Sequence, residues 1–208
     1  MPALQTRVQS VGDAAVAVVE RQEWLDVIGD RLQKRVAAAF QAGGDTGRRV
    51  RDFLHGTWFG HPLHPALTDI PLGAWTTALV LDAADARNGG GLAQAADTAI
   101  GLGIIGAVGA AVTGLTDWHH TTGGDRRVGV GHAVLNATAL ALYATALALR
   151  RRGIRGAGRG LAAFGFVLAT GAAYLGGTLV YRRRIGVDHA PRPEAWDNFV
   201  SVMSESDL

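Results

Sequence analysis

Thr98-Ala-Ile-Gly-Leu-Gly-Ile-Ile-Gly-Ala-Val-Gly-Ala-Ala-Val-Thr-Gly-Leu-Thr116 is a run of 19 residues without a charge. A helix on the surface of a soluble protein carries charged side chains on its outer face at a 3.6-residue period. A helix that crosses a bilayer instead needs about 20 largely apolar residues, to cover a hydrocarbon core about 30 Å thick. This stretch meets the second condition and fails the first. Two similar blocks follow. Val128–Leu149 has no charge except that of His132 when protonated, and Gly160–Tyr181 has none. Upstream, Pro65–Ala84 is a weaker candidate, because Asp69 lies near its start and Asp82 near its end.

These four segments predict an all-α integral membrane protein, a four-helix bundle of four spans over residues 55–185. An amphipathic helical segment, residues 1–54, precedes it, and a polar tail, residues 186–208, follows. The links between spans are short: Arg87–Ala96, His119–Arg127 and Arg150–Arg159. Short links make successive spans antiparallel neighbours. Small residues recur four apart in the spans, as Gly106, Ala110 and Gly114, as Ala133, Ala137 and Ala141, and as Ala172 and Gly176. In lipid, helices associate through close backbone packing, so these rows are expected contact faces.

Hydrophobic residues make up 48% of the 208, yet mean hydropathy is only +0.15, because polar and apolar stretches are segregated. Net charge is +2, and the basic residues are scattered through loops, which excludes a nucleic-acid-binding reading. There is no Cys, so disulfides, thiol nucleophiles and iron–sulfur clusters held by this chain alone are excluded. Early apolar residues are interrupted by Asp13, Glu20, Glu23 and Asp26, so no signal peptide is expected. Trp24, Ile28, Leu32, Val36 and Phe40 form a stripe in the N-terminal segment. It predicts a helix that packs on the rest of the chain or lies on anionic lipid.

With four spans both termini share one face. Nine Arg flank the spans there, against six on the other face (Arg87, Arg150, Arg151, Arg152, Arg155 and Arg159). That bias, with the missing signal peptide, places both termini in the cytoplasm of a bacterial-type inner membrane.

The same threading gathers polar residues on that face. His61 and His64 precede span one, and Asp69 sits in its first turns. Asp117, His119 and His120 end span two. His132 opens span three, with Asn136 one turn deeper, and Tyr181, Asp188 and His189 follow span four. His55 is close by. Asp69 is placed to fix an imidazole tautomer. Three readings stay open. The groups cap helix ends at the interface; or His61, His64, Asp69, Asp117 and His132 hold a metal ion; or His132, with His64 or His120, ligates a b-type haem. Trp58, Phe59 and Trp118 fit an aromatic belt at the boundary, and Trp75 fits internal packing. Asp82 stands apart, to snorkel or to pair with Arg87.

Trp58-Phe-Gly-His-Pro-Leu-His-Pro-Ala-Leu-Thr-Asp-Ile-Pro-Leu-Gly-Ala-Trp75 resembles the DUF2231 family, with support from Gly114-Leu-Thr-Asp117-Trp, Gly131-His132 with Asn136, and Gly176-Gly177 with Tyr181. The resemblance implies a four-span membrane protein. It carries over His61, His64, Asp69, Asp117 and His132 as functional positions without a mechanism. Some members resemble fusions to a C-terminal Rieske-type domain, and residues 195–208 resemble the linker to one. Two functions are therefore expected in competition. One is a membrane module of an electron-transfer system, binding haem b or a divalent metal and docking a Rieske-type iron–sulfur protein. The other is a non-catalytic membrane anchor or scaffold whose helices pack with a partner or as a homo-oligomer.

Overall fold

The computed structural model describes residues 12–88 and 90–186. Among them there are helices and no strand. Helix α1 covers residues 12–20, α2 is Leu25–Ala42 and α3 is Gly44–His55. A 3₁₀ turn, Thr57–Phe59, leads into four long helices: α4 (Leu63–Asn88), α5 (Ala93–Trp118), α6 (Gly123–Arg151) and α7 (Arg155–Gly177). A π-helical turn, Thr178–Arg182, extends α7. The tail beyond residue 186, with Asp188 and His189, lies outside the described residues.

α5, α6 and extended α7 are long and apolar enough to cross a membrane. α4 is just as long but carries Asp69, Asp82, Asp85 and Arg87. Its first turn tolerates Pro65, whose missing N–H would have had no partner there. Pro71, deeper in the helix, deprives the Leu67 carbonyl of a donor. The ring of Pro71 lies against Gly106 of α5, where a side chain would collide with it.

The long helices pack most extensively as two hairpins, α4 with α5 and α6 with α7; α5 also meets α6, and α4 meets α7. All four contribute to one core, which includes Trp75 and Ala78, Ala99 and Ile100, Ala139 and Tyr143, and Ala162 and Ala169. Trp75 stacks on Tyr143 at its centre, ring centroids 4.0 Å apart and planes 13° from parallel. The outer surface is apolar: Ile70, Leu72 and Val80 of α4, Leu102 and Ile105 of α5, Val134 of α6, and Phe164 and Val167 of α7 are all exposed.

The two hairpins repeat the same contacts. Gly103 of α5 makes room for Trp75, and Gly165 of α7 makes room for Tyr143. Gly109 faces Leu67, and Gly171 faces Leu135. Gly114 faces His64, and Gly176 faces His132. Residues 64, 67 and 75 recur as 132, 135 and 143, a constant step of 68. The facing glycines 103, 109 and 114 recur as 165, 171 and 176, a constant step of 62. The chain thus contains an internal structural repeat, with α4 and α6 equivalent and α5 and α7 equivalent.

The same step carries Asp82 to Arg150, and these two residues pair with each other across the hairpins. Asp82 therefore does not stand alone or pair with Arg87, as its local sequence suggests. The Arg150 side chain is fully buried and also donates to Asp97 at 3.2 Å. Arg155 adds two hydrogen bonds to Asp97, at 3.0 and 2.9 Å, and Arg159 pairs with Asp85. Three carboxylates from the first hairpin are met by three guanidiniums from the second.

The expected contact rows are met in part. Gly106, Ala110 and Gly114 do face α4, and Ala172 and Gly176 face α6. Ala137 and Ala141, in contrast, lie on the exposed side of α6. Its buried stripe runs through Ala139, Tyr143, Ala146 and Arg150, where the large side chains bridge the hairpins.

The N-terminal stripe is split between two faces. Leu25 and Gly29 are buried and Leu32 packs on the Leu25 cluster, whereas Trp24, Val27 and Ile28 are exposed. The inner face is fixed by polar contacts. Asp26 accepts from Arg127 at 2.6 and 2.9 Å and from Arg126 at 3.1 Å, and the Gln33 amide donates to the Thr121 carbonyl at 2.9 Å. The hydrogen bonds from Arg127 hold the Asp26 carboxyl below the usual carboxylate range, against the opposing effect of lost solvent.

Removing one member of the buried pair strands the other. Arg150→Ala is expected to lower unfolding stability in detergent by about 3–5 kcal/mol, and the double change Asp82→Leu with Arg150→Met by much less. Thermal unfolding followed by circular dichroism checks this; equal losses in both variants would remove the pairing argument.

Candidate functional site

At the opposite end of the core two histidines occupy equivalent positions of the repeat. His64 lies in the first turn of α4, and its Nδ1 is 2.7 Å from the Ala110 carbonyl of α5. His132 lies on α6, and its Nδ1 is 2.8 Å from the Ala172 carbonyl of α7. A carbonyl oxygen only accepts, so each Nδ1 carries the proton. Each Nε2 is then the basic lone pair of its ring. The glycine one turn beyond each carbonyl is what admits the imidazole. A Cβ on Gly114 would lie 2.8 Å from ring atoms of His64, and one on Gly176 would lie 2.8 Å from the ring of His132. The two ring centroids are 6.3 Å apart with planes at 86°. The Asn136 amide, on the same helical side as expected, lies 3.1 Å from Nε2 and 3.4 Å from Nδ1 of His132, against the ring, and donates to the His132 carbonyl at 3.0 Å.

A second imidazole cluster sits one turn beyond Gly114. His55 of α3 meets Asp117 of α5 at 2.7 Å, with both side chains largely buried. His119 and His120 are 3.5 Å apart by ring centroid, and each is about as far from His55, at 6.4 and 6.5 Å. The Nδ1 of His119 donates to the Thr116 carbonyl at 2.5 Å. His120 is exposed at its outer edge, but loss of solvent on its inner side pushes its pKa below the usual histidine value, and the charges of His119, His55 and Arg51 add to that.

The structure therefore brings His64 and His132 together and leaves the other expected ligands elsewhere. His120 belongs to the second cluster. Asp117 is engaged by His55, 62 positions away in sequence. His61 is exposed beside Phe59, ring centroids 5.9 Å apart, and does not share a direction with His64. Asp69 is exposed on the outside of α4 and fixes no tautomer, since backbone carbonyls do that for both His64 and His132. Among the described residues no three His, Cys, Asp or Glu side chains are placed to hold a metal ion. Of the aromatic residues, Trp58 and Phe59 are exposed, as a belt requires, but Trp118 is buried over Gly129 and beside Leu25 and Val130. Trp75 is buried packing, as expected.

Reading residues alone missed the repeat, the Asp82–Arg150 pair and the role of His55. The signal for the first two was the constant step of 68, visible only when the two halves are aligned with each other.

The sequence profile of a family described as predicted membrane proteins, DUF2231, matches residues 60–189. The chain belongs to the DUF2231 family. The match covers all four long helices and includes His64 of α4 and His132 of α6, and the long apolar helices agree with a membrane protein. No curated protein and no solved structure matches the chain.

Partial loss of solvent at His120 favours its neutral ring and makes its surroundings sensitive to acid. The unfolded chain takes up the proton near pH 6.5, whereas the folded cluster resists it. Stability of this end is thus full above about pH 6.5 and is lost as pH falls below it. Hydrogen exchange of residues 116–122, corrected for intrinsic rate, is expected to accelerate on going from neutral to mildly acidic pH, and His120→Gln is expected to flatten that response. An unchanged response in the variant would assign the effect to another group.

Proposed function

We propose that this chain crosses the bilayer four times and serves as the membrane module of an electron-transfer system, in which His64 and His132 would hold a b-type haem. The four-span reading treats α4 as the first span. Asp82 and Asp85 are buried and matched by Arg150 and Arg159, so they do not meet lipid as free charges. The outward side chains Ile70, Leu72 and Val80 continue the apolar surface of the other three helices. The arrangement belongs in a bacterial-type inner membrane with both ends cytoplasmic, supported by the Arg bias near the spans.

One observation carries the haem reading: two imidazoles stand at equivalent positions of a repeat, each with Nδ1–H committed to a backbone carbonyl, although Nε2 of His132 also has the Asn136 amide at 3.1 Å, which a metal would have to displace. Such outer-sphere hydrogen bonds orient metal-ligating histidines and raise their basicity. The donor number also fits. A haem iron takes four nitrogens from its own ring and needs two axial ligands. A bare zinc ion needs about four protein or water ligands, and no such group gathers here. When bound, the haem supplies one-electron chemistry. The chain's part is to fix both tautomers and, through Gly114 and Gly176, to hold both rings against neighbouring backbones. With no Cys of its own, the chain would exchange electrons with a separate iron–sulfur protein, of the Rieske type on this reading.

The same hydrogen bonds favour a second reading, since His64 ties α4 to α5 and His132 ties α6 to α7. On that reading the protein is a non-catalytic scaffold. An optical spectrum of detergent-purified protein, produced with ample haem, separates the two. The haem reading expects a Soret band and a sharp α band on reduction, with about one haem per chain, lost in His64→Ala and His132→Ala and weakened in Gly176→Ala. A monodisperse, folded protein without a Soret band, even after haem addition, leaves the scaffold.

A further inference from the structure

The N-terminal helices have two faces with different chemistry. α1 runs along the flank of α6 and α7. Gly12 lies against Tyr174, Val16 packs with Val128, Leu175 and Leu179, and Val19 lies against Gly131. The start of α2 continues at that level, with Leu25 beside Val130 and Gly29 against Arg126 and Val130. These contacts fix a depth, that of residues 126–131 and 174–179. On the four-span reading, on which this inference rests, that is the last turn of the hydrocarbon layer and the headgroup zone beside it.

The outer face of α2 at that depth is built from Trp24, Val27, Ile28, Arg31 and Arg35. Their spacing of three and four places them on one side of the helix. Trp24 is 60% exposed, Val27 54% and Ile28 44%, and Arg31 and Arg35 are exposed as well. No carboxylate lies in salt-bridge range of either Arg among the described residues, whereas Lys34 pairs with Asp30. The inner face of the helix is already committed to the protein through Asp26, Gly29 and Gln33.

We infer that the outer face of α2 is a docking surface for the anionic phospholipid headgroups of the leaflet at this end of the protein. Trp24, Val27 and Ile28 enter the acyl boundary, and Arg31 and Arg35 pair with phosphate. Three observations on this helix favour that occupant over a second protein: the depth at which α1 and α2 lie, the aromatic side chain beside aliphatic ones, and cations without an ion-pair partner among the described residues. An in-plane helix with this composition is held by buried apolar area together with attraction to anionic lipid.

The chain contains no Cys, so single cysteines can be introduced for spin labelling of the full protein in nanodiscs. Labels at Val27→Cys and Ile28→Cys are expected to collide more with oxygen than with a water-soluble nickel chelate in discs containing phosphatidylglycerol. Because protein contacts set the depth of the helix, its preference for anionic headgroups is read separately: nitroxide-labelled phosphatidylglycerol mixed into phosphatidylcholine discs is expected to broaden the label at position 28 more than nitroxide-labelled phosphatidylcholine does, and Arg31→Gln/Arg35→Gln is expected to abolish the excess. Labels as accessible to nickel as one at the exposed Asp45 would overturn the inference, and so would equal broadening by the two lipids. A reference label at Ile105→Cys, 72% exposed on α5, separates the two levels. If that label also reads as aqueous, the spans are wrong; if it reads as hydrocarbon while positions 27 and 28 do not, only the docking surface falls.

Discussion

Large side chains seated over glycines on the neighbouring helix hold each hairpin together, and nearly every other feature follows from that contact. His64 over Gly114, His132 over Gly176, Trp75 over Gly103 and Tyr143 over Gly165 are one device used four times. In lipid there is no hydrophobic drive between helices, so association depends on backbones coming close and on hydrogen bonds that lipid cannot supply. A glycine lets the helices approach, and the ring opposite fills the space its missing side chain leaves. Where the ring is an imidazole, the approach also brings a backbone carbonyl within hydrogen-bonding distance. The tautomer of both histidines is thus a consequence of packing.

Because the device repeats, the two hairpins present similar surfaces to each other, and something must keep them from pairing in the wrong register. The charges at the far end do this. The first hairpin contributes Asp82, Asp85 and Asp97, and the second contributes Arg150, Arg155 and Arg159. Two copies of the first hairpin would stack carboxylates, and two copies of the second would stack guanidiniums. A first with a second leaves every charge matched. A buried ion pair of this kind adds little net stability, but a wrong partner strands a charge away from water at a cost of several kcal/mol. The matching of carboxylates to guanidiniums joins the two hairpins at this end, and the stacked Trp75 and Tyr143 add cohesion between them.

Helix class, the apolar blocks and the family were legible in the sequence, because they depend on composition over twenty residues and on one compact motif. The convergence of six polar positions was not. Chain threading gives the depth of a residue, but the direction of its side chain depends on which face of its helix is buried. His61 and His64 share a depth and differ in direction, since only His64 meets the glycine on α5. Asp69 shares the depth of the site and points away from it. Ala137 and Ala141 have the spacing of a contact face and lie outside, because Tyr143 and Arg150 claim the inner side of α6. Trp118 looked like a belt residue until Gly129 gave it a seat inside. The partners of Asp82 and Asp117 were out of reach of local reading altogether, lying 68 and 62 positions away.

The repeat bears directly on how the two ends of the protein differ. At the Arg-rich end, equivalent positions carry opposite charges, so Asp82 and Arg150 pair with each other. At the histidine end, equivalent positions carry the same group, and two imidazoles that each donate Nδ1–H to a carbonyl of their own hairpin do not pair with each other. Asn136 breaks the symmetry on one side only, since its counterpart in the first hairpin is Thr68, whose hydroxyl is spent on the Pro65 carbonyl at 2.7 Å. One repeat thus carries two kinds of pairing: a charge pair that joins the hairpins at one end, and at the other end like groups, each tied within its own hairpin by a backbone carbonyl.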